Sequence, residues 1–521
     1  MSNTIDILLS MYNKGVRIWA DNGRILYRAP KGVITPADIQ CLRARKAELL
    51  EALVATHIVS ASEPPLVPRL SSDSVPLTYT QQARWNAFQV IGMCRNTRTC
   101  NFSLRLSGDL NIAALKQSFD EIVRRHESLR TRIVDICGTP MQIIDRSNES
   151  NLAIIDLTRI ARSNVETEAR KYVEEVVNEQ VDMSVGPLFR AQLLKLGDYD
   201  NVLVVALDHI VADGVSIALL TRDIEITYMQ AAQGLPLSPP RVVVQLADFA
   251  VWQQKNHQSF VKKHDAYWTN HLRGTSRIRM PAYQRPIRVA GSKWEKLPLR
   301  FDKEMSAGLN ELSRRNGTTL VMSILTAYVA SISRWCTQRD LVVGFLTTGR
   351  HRPEVGNTIG FFASTIYLRI ELDGSDSFLD LLRRVTAEYY AVIEHQDFGL
   401  SAIPMPGPDV AHNASFNWFS SPRLTSDDTY ISNDQLKDAG AFVRKEPFPF
   451  VATSPEMEWD GDLPIYGGEP WLLLSEGIDG IAGVMRYRRA RFDSNSMKKC
   501  AHNFLSFARI VLEDPLARVA G

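Results

Sequence analysis

The sequence predicts an α/β chain built as two successive mixed halves behind a small hairpin-and-helix unit, and three observations carry that expectation. A stretch rich in Pro and Ser, Ser60–Ser74, separates residues 1–59 from everything that follows. Its prolines lack backbone N–H groups and push the residues before them toward extended conformations, which is linker behaviour for residues 60–74. Beyond it, strand-like and helix-like segments alternate, as they do where helices pack onto a sheet. The alternation breaks at the Pro- and Arg-rich passage Pro281–Arg288 and then restarts, so residues 75–275 and 276–521 are expected to form the two halves.

Within the small unit, Ile5, Leu8, Leu9 and Tyr12 recur at helical spacing, and Gly15 offers a stop. Val16–Ala20 and Ile25–Arg28 read as two strands around Asp21-Asn22-Gly23-Arg24. Asn-Gly is a hairpin signal because both central positions of the tight turn need positive φ. Thr35 then caps a helix with Pro36 in its first turn, where a missing N–H leaves no bond unmade. Leu42, Leu49, Leu50 and Leu53 continue it.

In the large unit, Asn101–Leu106 reads as a strand and Ile112–Arg124 as a helix. Val202–Leu207 is unbroken apolar sequence rich in β-branched residues, the pattern of a strand covered on both faces. Helices are expected over Ser216–Ala232 and Leu246–Leu272. The second half is expected to bring helix Thr318–Trp335, strands Leu341–Phe345 and Thr365–Leu372, and helix Phe378–His395. Strands Trp471–Ser475 and Gly480–Tyr487 and a last helix, Ser494–Glu513, close it.

Composition narrows the function classes. With 521 residues, 45% hydrophobic and 23% charged, the chain has ordinary globular make-up and can bury a core without metal or disulfide staples. A formal net charge of +2 gives no overall pull toward nucleic acid or membrane. The cysteines, Cys41, Cys94, Cys100, Cys137, Cys336 and Cys500, show neither CxxC nor Cys/His spacing, so no metal site is expected. Asp6 interrupts the apolar start and no small-residue cleavage site follows, which argues against a secretory signal. No apolar run reaches the roughly 20 residues that span a bilayer. A cytoplasmic protein with neither nucleic-acid nor membrane partner is expected.

Chemistry concentrates in Leu207-Asp208-His209-Ile210-Val211-Ala212-Asp213-Gly214-Val215-Ser216. A buried strand ends in Asp-His, a short loop follows, and Gly214 precedes a helix. A histidine at a strand's end, with an ordinary pKa of about 6.5, suits proton transfer near neutral pH. Read by itself, His209 serves as well as a structural histidine.

The segment resembles the HHxxxDG signature of nonribosomal peptide synthetase condensation domains, which belong to the chloramphenicol acetyltransferase-like acyltransferases. Further motifs follow in that family's order. Pro76-Leu77-Thr78-Tyr79-Thr80-Gln81-Gln82 is similar to its opening P-L-S/T-x-x-Q. Arg124-Arg125-His126-Glu127-Ser128-Leu129-Arg130-Thr131 is similar to RHExLRT, and Gln245–Gln253 to Y-x-D-Y/F-A-x-W-Q. Gly344–Arg350 and Ile359-Gly360-Phe361-Phe362 resemble the GR and IGxFVNT segments, and His395-Gln396-Asp397 and Phe416-Asn417 follow. The resemblance covers about Pro76 to Glu513.

Carried over position by position, it implies that His209 helps to deprotonate or position an acceptor amine at the junction of the halves. Asp213 is implied to be structural, paired with Arg350, and Gly214 to let a thioester donor approach the loop, having no side chain. Asn417 is implied to hydrogen-bond near the tetrahedral intermediate. Arg124, His126 and Arg130 are read as fixing a helix end and Trp252 as core, while Ser364-Thr365 replaces the family's Asn-Thr. Asp208 departs from the family, which has its first histidine there. Asp208, Asp213 and Ser216 also satisfy DxxxxDxxS, the signature of heterocyclisation domains, which condense Cys, Ser or Thr and then dehydrate the product to a ring. Such domains lack a histidine where His209 stands, and their PVVFTS-type motif is poorly matched by Phe416–Ser421. Condensation is the preferred reading. A degenerate domain that only recruits partners is a third, which Asp208 leaves open and His209 opposes.

The implied fold is a two-lobed pseudo-dimer of acyltransferase-like halves with the active site in a tunnel between them. No adenylation motif or carrier-protein serine is readable, so the resemblance implies no cofactor of the chain's own. The donor would arrive on the phosphopantetheine of a partner carrier protein, and the acceptor amine would be free or carrier-bound. A chain that stops where a condensation domain stops is expected to be a stand-alone terminal enzyme releasing its product onto a free amine, or an excised part of a longer synthetase. Residues 1–59 resemble the TubC-type docking domain through GVRIW, NGRILYRAPKG and TPxxxxxLRARKAELL. That resemblance implies that the hairpin takes up an upstream synthetase's C-terminal tail as an added strand. Arg17, Arg24, Arg28 and Lys31 give it a basic character suited to an acidic tail.

Overall fold

In the small unit, strands β1 (Arg17–Asp21) and β2 (Arg24–Arg28) pair antiparallel, with Asp21 opposite Arg24 and Arg17 opposite Arg28. This is the register a two-residue turn imposes. Helix α1 (Pro36–Ala44) starts with a reciprocal cap: Thr35 Oγ1 accepts from the Asp38 amide at 3.2 Å, and Asp38 Oδ2 accepts from the Thr35 amide at 3.0 Å. Leu42 and Leu49 are buried. The computed structural model describes residues 17–21, 24–28, 34–46, 49, 66–70, 74–91, 95–97, 100–146, 150, 152–280, 294–396, 414–419, 443–447, 469–477, 480–489 and 491–519. The helical run Ile5–Tyr12, the turn residues Asn22 and Gly23, Lys31, the passage Pro281–Arg288 and Asp397 lie outside the described residues.

The stretch expected as a linker is anchored where it is described. Leu66 is buried in the core of the second half. Arg69 reaches Glu127 at 2.8 Å and Asp248 at 2.7 Å, so one guanidinium ties two distant carboxylates.

The next segment opens with β3 (Ser74–Pro76), α2 (Tyr79–Ile91), β4 (Arg95–Thr97), β5 (Cys100–Gly108) and α3 (Ile112–Arg125). It continues through β6 (Thr131–Ile136), β7 (Thr139–Ile144), β8 (Ala153–Asp156), α4 (Val165–Asn178), β9 (Gln180–Asp182), β10 (Phe189–Gly197), β11 (Asp200–Leu207), α5 (Gly214–Ala232) and α6 (Leu246–His271). β11 lies between β5 and β10, antiparallel to both. Its unbroken apolar sequence serves two cores. Leu203, Val205 and Leu207 face one cluster with α3 and α5, while Val202, Val204 and Ala206 face another with α4. Alternate residues of a strand point to opposite faces, so both faces need apolar side chains.

The second half holds β12 (Trp294–Arg300), α7 (Lys303–Arg315), α8 (Leu320–Cys336), β13 (Asp340–Thr347), β14 (Ser364–Glu371) and α9 (Phe378–Ile393). β15 (Ala414–Phe419), β16 (Val443–Pro447), β17 (Trp471–Gly477), β18 (Gly480–Arg488) and α10 (Ser494–Glu513) complete it. Its six-stranded sheet runs β12-β18-β17-β15-β13-β14. Pro298 sits in the edge strand β12, where a missing N–H is tolerated.

Two features tie the halves together. β16 leaves the second half and adds to the first half's sheet, antiparallel to β5, with Val443 opposite Gly108. Helix α6 puts Leu246, Phe249, Trp252, Phe260 and Trp268 into the second half's core, although it precedes residue 275 in the chain. No single helix among the described residues is long and apolar enough to cross a membrane.

Candidate active site at the junction of the halves

β11 delivers Asp208 and His209 to the seam, and α5 begins six residues later with Asp213 as its cap. His209 is half-buried. Its Nδ1 is buried and makes no hydrogen bond to another residue among the described ones, so of the two ring nitrogens Nε2 is the one left to meet a substrate. The ring of Phe361, from the second half, meets it edge-on with centroids 4.7 Å apart. Burial, with the charge of Arg84 next, holds the His209 pKa below the ordinary histidine value. The ring is therefore neutral at neutral pH and able to accept a proton.

Asp213 is the most heavily bonded group in the loop. Its Oδ1 accepts from the Ser216 amide and the Ser216 hydroxyl, both at 2.8 Å. Its Oδ2 accepts from the amides of Phe362 at 3.1 Å and Ala363 at 3.3 Å. Arg350 Nη2 lies 3.1 Å from Oδ1. Burial pushes the Asp213 carboxyl upward, but Arg350 and these donors outweigh it and hold the group below the usual carboxylate range. Arg350 itself donates to the carbonyls of Val355, Thr358 and Gly360, and its guanidinium lies 4.4 Å from the centre of the Phe362 ring. Gly349 of the same motif has φ +62°, and a Cβ there would fall 1.9 Å from the Phe362 carbonyl oxygen, so only glycine fits.

Three successive carbonyls of the second half each accept from a hydroxyl of a different first-half element. Ser128 Oγ donates to Ile359 at 2.7 Å, Ser216 Oγ is 2.9 Å from Gly360, and Thr80 Oγ1 donates to Phe361 at 2.9 Å. The Ser216 hydroxyl has one proton, which it gives either to this carbonyl or to Asp213. The segment that carries Phe361 is thus fixed against the histidine loop.

Asp208 is fully buried, and its Oδ1 accepts from the Ile210 amide at 2.8 Å and lies 3.5 Å from Arg84 Nη2. Sequence reading singled out Ser216 but missed Arg84 and gave no role to Phe361, Thr80 or Ser128. Arg84 lies just beyond the opening motif, and Phe361 occupies the unspecified position of IGxF, so neither carried a signal of its own. The motif glutamine, Gln81, has a visible task, donating to the Ile210 carbonyl at 2.9 Å.

Gly214 is exposed at the start of α5, and a Cβ there would meet nothing within 4 Å. Asn417 is buried in the middle of β15; it faces away from Phe416, which lies in the core. Asn417 makes no hydrogen bond to His209 or Asp213 among the described residues. Ser216 joins Asp213 and Arg350 in one network. His126 and Asp223 form a buried pair at 3.1 Å between α3 and α5, and Trp252 packs in the core under Arg352. No group of three or more His, Cys, Asp or Glu side chains that could hold a metal ion occurs among the described residues. Arg17, Arg24 and Arg28 lie on the β1–β2 hairpin, apart from this site in the chain.

Two α/β lobes that meet at a histidine loop give the chain the fold of the chloramphenicol-acetyltransferase-like class. Within that class the chain belongs to the condensation domain family, whose profile matches residues 71–415, with a TubC N-terminal docking domain over residues 5–54. These are the amide-bond-forming domains of nonribosomal peptide synthetases, which work with carrier proteins bearing phosphopantetheine. The chain is similar to the chondramide synthase of Chondromyces crocatus, 31% identical over 457 residues, covering 87% of this chain and 11% of that protein. It spans about a tenth of the length of such curated relatives. Among solved structures, the X-domain from teicoplanin biosynthesis matches with a TM-score of 0.71 at 22% identity, over 88% of this chain and 99% of that one. A structure described as the basis for condensation domain-mediated chain release from the enacyloxin polyketide synthase matches at 0.63 and 16% identity, over 99% of this chain and 97% of that one.

Proposed function

We propose that this chain joins a carrier-bound acyl or peptidyl thioester to an amine, with the Nε2 of His209 taking the amine's proton. The observation that carries this is a half-buried imidazole whose pKa is held below the ordinary value and whose Nδ1 is buried, on a loop braced from both halves. The amine nitrogen attacks the thioester carbonyl, the C–N bond forms and the C–S bond breaks. The proton held on His209 returns to the departing phosphopantetheine thiolate. Gly214 leaves space beside the loop for the donor, and Asn417 is assigned the carbonyl oxygen as its charge develops, the kind of stabilisation acyl transfer rewards. Asp213, Arg350 and Ser216 hold the loop and do not exchange protons with substrate. The chain brings no cofactor of its own in this reading.

A free amine is the first acceptor to test, with released product as the outcome; a structure of similar fold is described as showing condensation domain-mediated chain release. The assay incubates the full chain with a panel of acyl- and aminoacyl-loaded carrier proteins and with free or carrier-bound amines, read by intact mass. His209→Ala should lose about 100-fold or more in turnover, the weight of a general base. Wild-type turnover in that variant overturns the proposal and leaves partner recruitment as the function. With cysteine as acceptor the product should be an uncyclised amide. A product lighter by one water, dependent on Asp208, would establish heterocyclisation instead.

We further propose that the β1–β2 hairpin receives the acidic C-terminal tail of an upstream synthetase as an added strand, steered by Arg17, Arg24, Arg28 and Lys31. Calorimetric titration of the full chain with an acidic tail peptide should show affinity falling several-fold as salt rises, since exposed charges are screened over about 8–10 Å near physiological ionic strength. Charge reversal at Arg24, Arg28 and Lys31 should raise KM for the carrier-bound donor and spare a small soluble thioester. Binding indifferent to salt removes the electrostatic part of the proposal.

A further inference from the structure

Helix α2 supports the histidine loop from one side. Gln81 and Arg84 are three residues apart and so share a helix face. Gln81 holds the Ile210 carbonyl on one side of His209, and Arg84 meets Asp208 on the other. Both Arg84 and Asp208 are completely buried. The Asp208 carboxylate also accepts from the Ile210 amide, so it spans the backbone around His209.

We propose that Arg84 and Asp208 are a positioning pair for His209, a buried ion pair standing where the condensation family sets its first histidine. The proposal rests on the reading of His209 as the proton acceptor, but the two fail in different experiments. A guanidinium at this depth calls for a nearby anion, because an ion removed from water is costly unless compensated. A histidine at position 208 would set a neutral or cationic ring against Arg84 and supply no such compensation. The departure from the family motif is thus matched by a cation one helix away. It also commits Asp208 to the fold and leaves it unsuited to the dehydration that heterocyclisation requires.

The pair acts on the ring through charge as well as shape. The charged groups facing His209 are Arg84 from α2 and Asp208 and Asp213 from its own loop, while across the seam it meets the uncharged ring of Phe361. Burial and then Arg84 disfavour the protonated ring, and the two aspartates offset them in part. Removing Arg84 while Asp208 remains should make protonation easier. Removing the Asp208 charge while Arg84 remains should make it harder.

The test is diethyl pyrocarbonate modification of His209 in the full chain, followed by mass spectrometry across pH, since only the neutral ring reacts. The wild-type midpoint should lie below the ordinary histidine value of about 6.5. Arg84→Leu should raise the midpoint by about one unit, the scale on which a neighbouring charge acts. Asp208→Asn, which keeps the shape and removes the charge, should lower it, and this arm stands if Arg84→Leu does not fold. Asp208→His should melt well below wild type, and Asp208→His combined with Arg84→Leu should recover part of the loss. Unmoved midpoints in the folded variants, or an Asp208→His protein as stable as wild type, overturn the positioning pair. Retained turnover in His209→Ala would instead sink the proton-acceptor role while leaving these midpoints as they are.

Discussion

Asp208 and Asp213 sit at the two ends of one loop, both buried, and different parts of the molecule hold them. Asp208 is supported from its own half, by Arg84 of α2 and the Ile210 amide. Asp213 is supported from across the seam, by Arg350 and the amides of Phe362 and Ala363, with Ser216 adding two bonds from α5. The first end therefore shapes the immediate surroundings of His209, and the second welds one half to the other. Charge at the two ends therefore does separate work. One aspartate adjusts the ring beside it, whereas the other keeps the two walls of the site in register.

The comparison breaks most sharply at Asp213. Asp213→Ala should destabilise the chain by about 3–5 kcal/mol, because Arg350 and three amides lose a buried acceptor together. The acid limb of stability should change as well. The folded-state pKa of Asp213 lies below its unfolded value, so its contribution is fully present above about pH 4, the unfolded value, and is lost as pH falls through the depressed folded value. The variant should therefore be less stable than wild type at neutral pH, with the gap closing at the lowest pH. Thermal melts from neutrality down to about pH 2 would show it. A variant as stable as wild type at pH 7, or a gap that does not narrow in acid, would mean that Asp213 does not weld the halves through its charge.

Much of this arrangement was legible in the sequence, and the part that was not has a physical reason. The strand over Val202–Leu207 could be read because a doubly covered strand must be apolar throughout, and the reading stopped only two residues short of the observed start. The last helix, Ser494–Glu513, has the expected bounds, with Asp493 as its cap. The His209 loop was legible because its residues are contiguous. Contacts set by chain folding were not. Arg69, Arg84 and Asn357 meet partners more than a hundred residues away, and no local pattern marks such pairs. β16 reads Val443-Arg444-Lys445-Glu446-Pro447, a charged stretch without apolar alternation, so its addition to the other half's sheet left no trace in periodicity. The pattern of α6 showed that one face is buried but not against which half it packs.

A smaller change separates charge from shape at the second end of the loop. The Ser216 hydroxyl accepts from the Gly360 amide at 3.0 Å and from Arg350 Nη2 at 3.1 Å, and lies within reach of Asp213 and the Gly360 carbonyl as donor. Ser216→Ala removes that hydroxyl and leaves the buried Gly360 amide without it, which should destabilise by about 1–3 kcal/mol. Asp213 keeps Arg350 and its three amides, so the halves stay joined. Unlike Asp213→Ala, this variant keeps the titrating carboxylate, so below about pH 4, where the Asp213→Ala gap closes, its deficit should narrow only by the share the hydroxyl contributes as a donor to Asp213. Equal losses in the two variants, or the same narrowing in acid, would show that the hydroxyl and the carboxylate act as one unit. A loss confined to the smaller range, narrowing less in acid than that of Asp213→Ala, places the weld in the charge of Asp213 and leaves Ser216 the narrower task of holding the Gly360 backbone beside it.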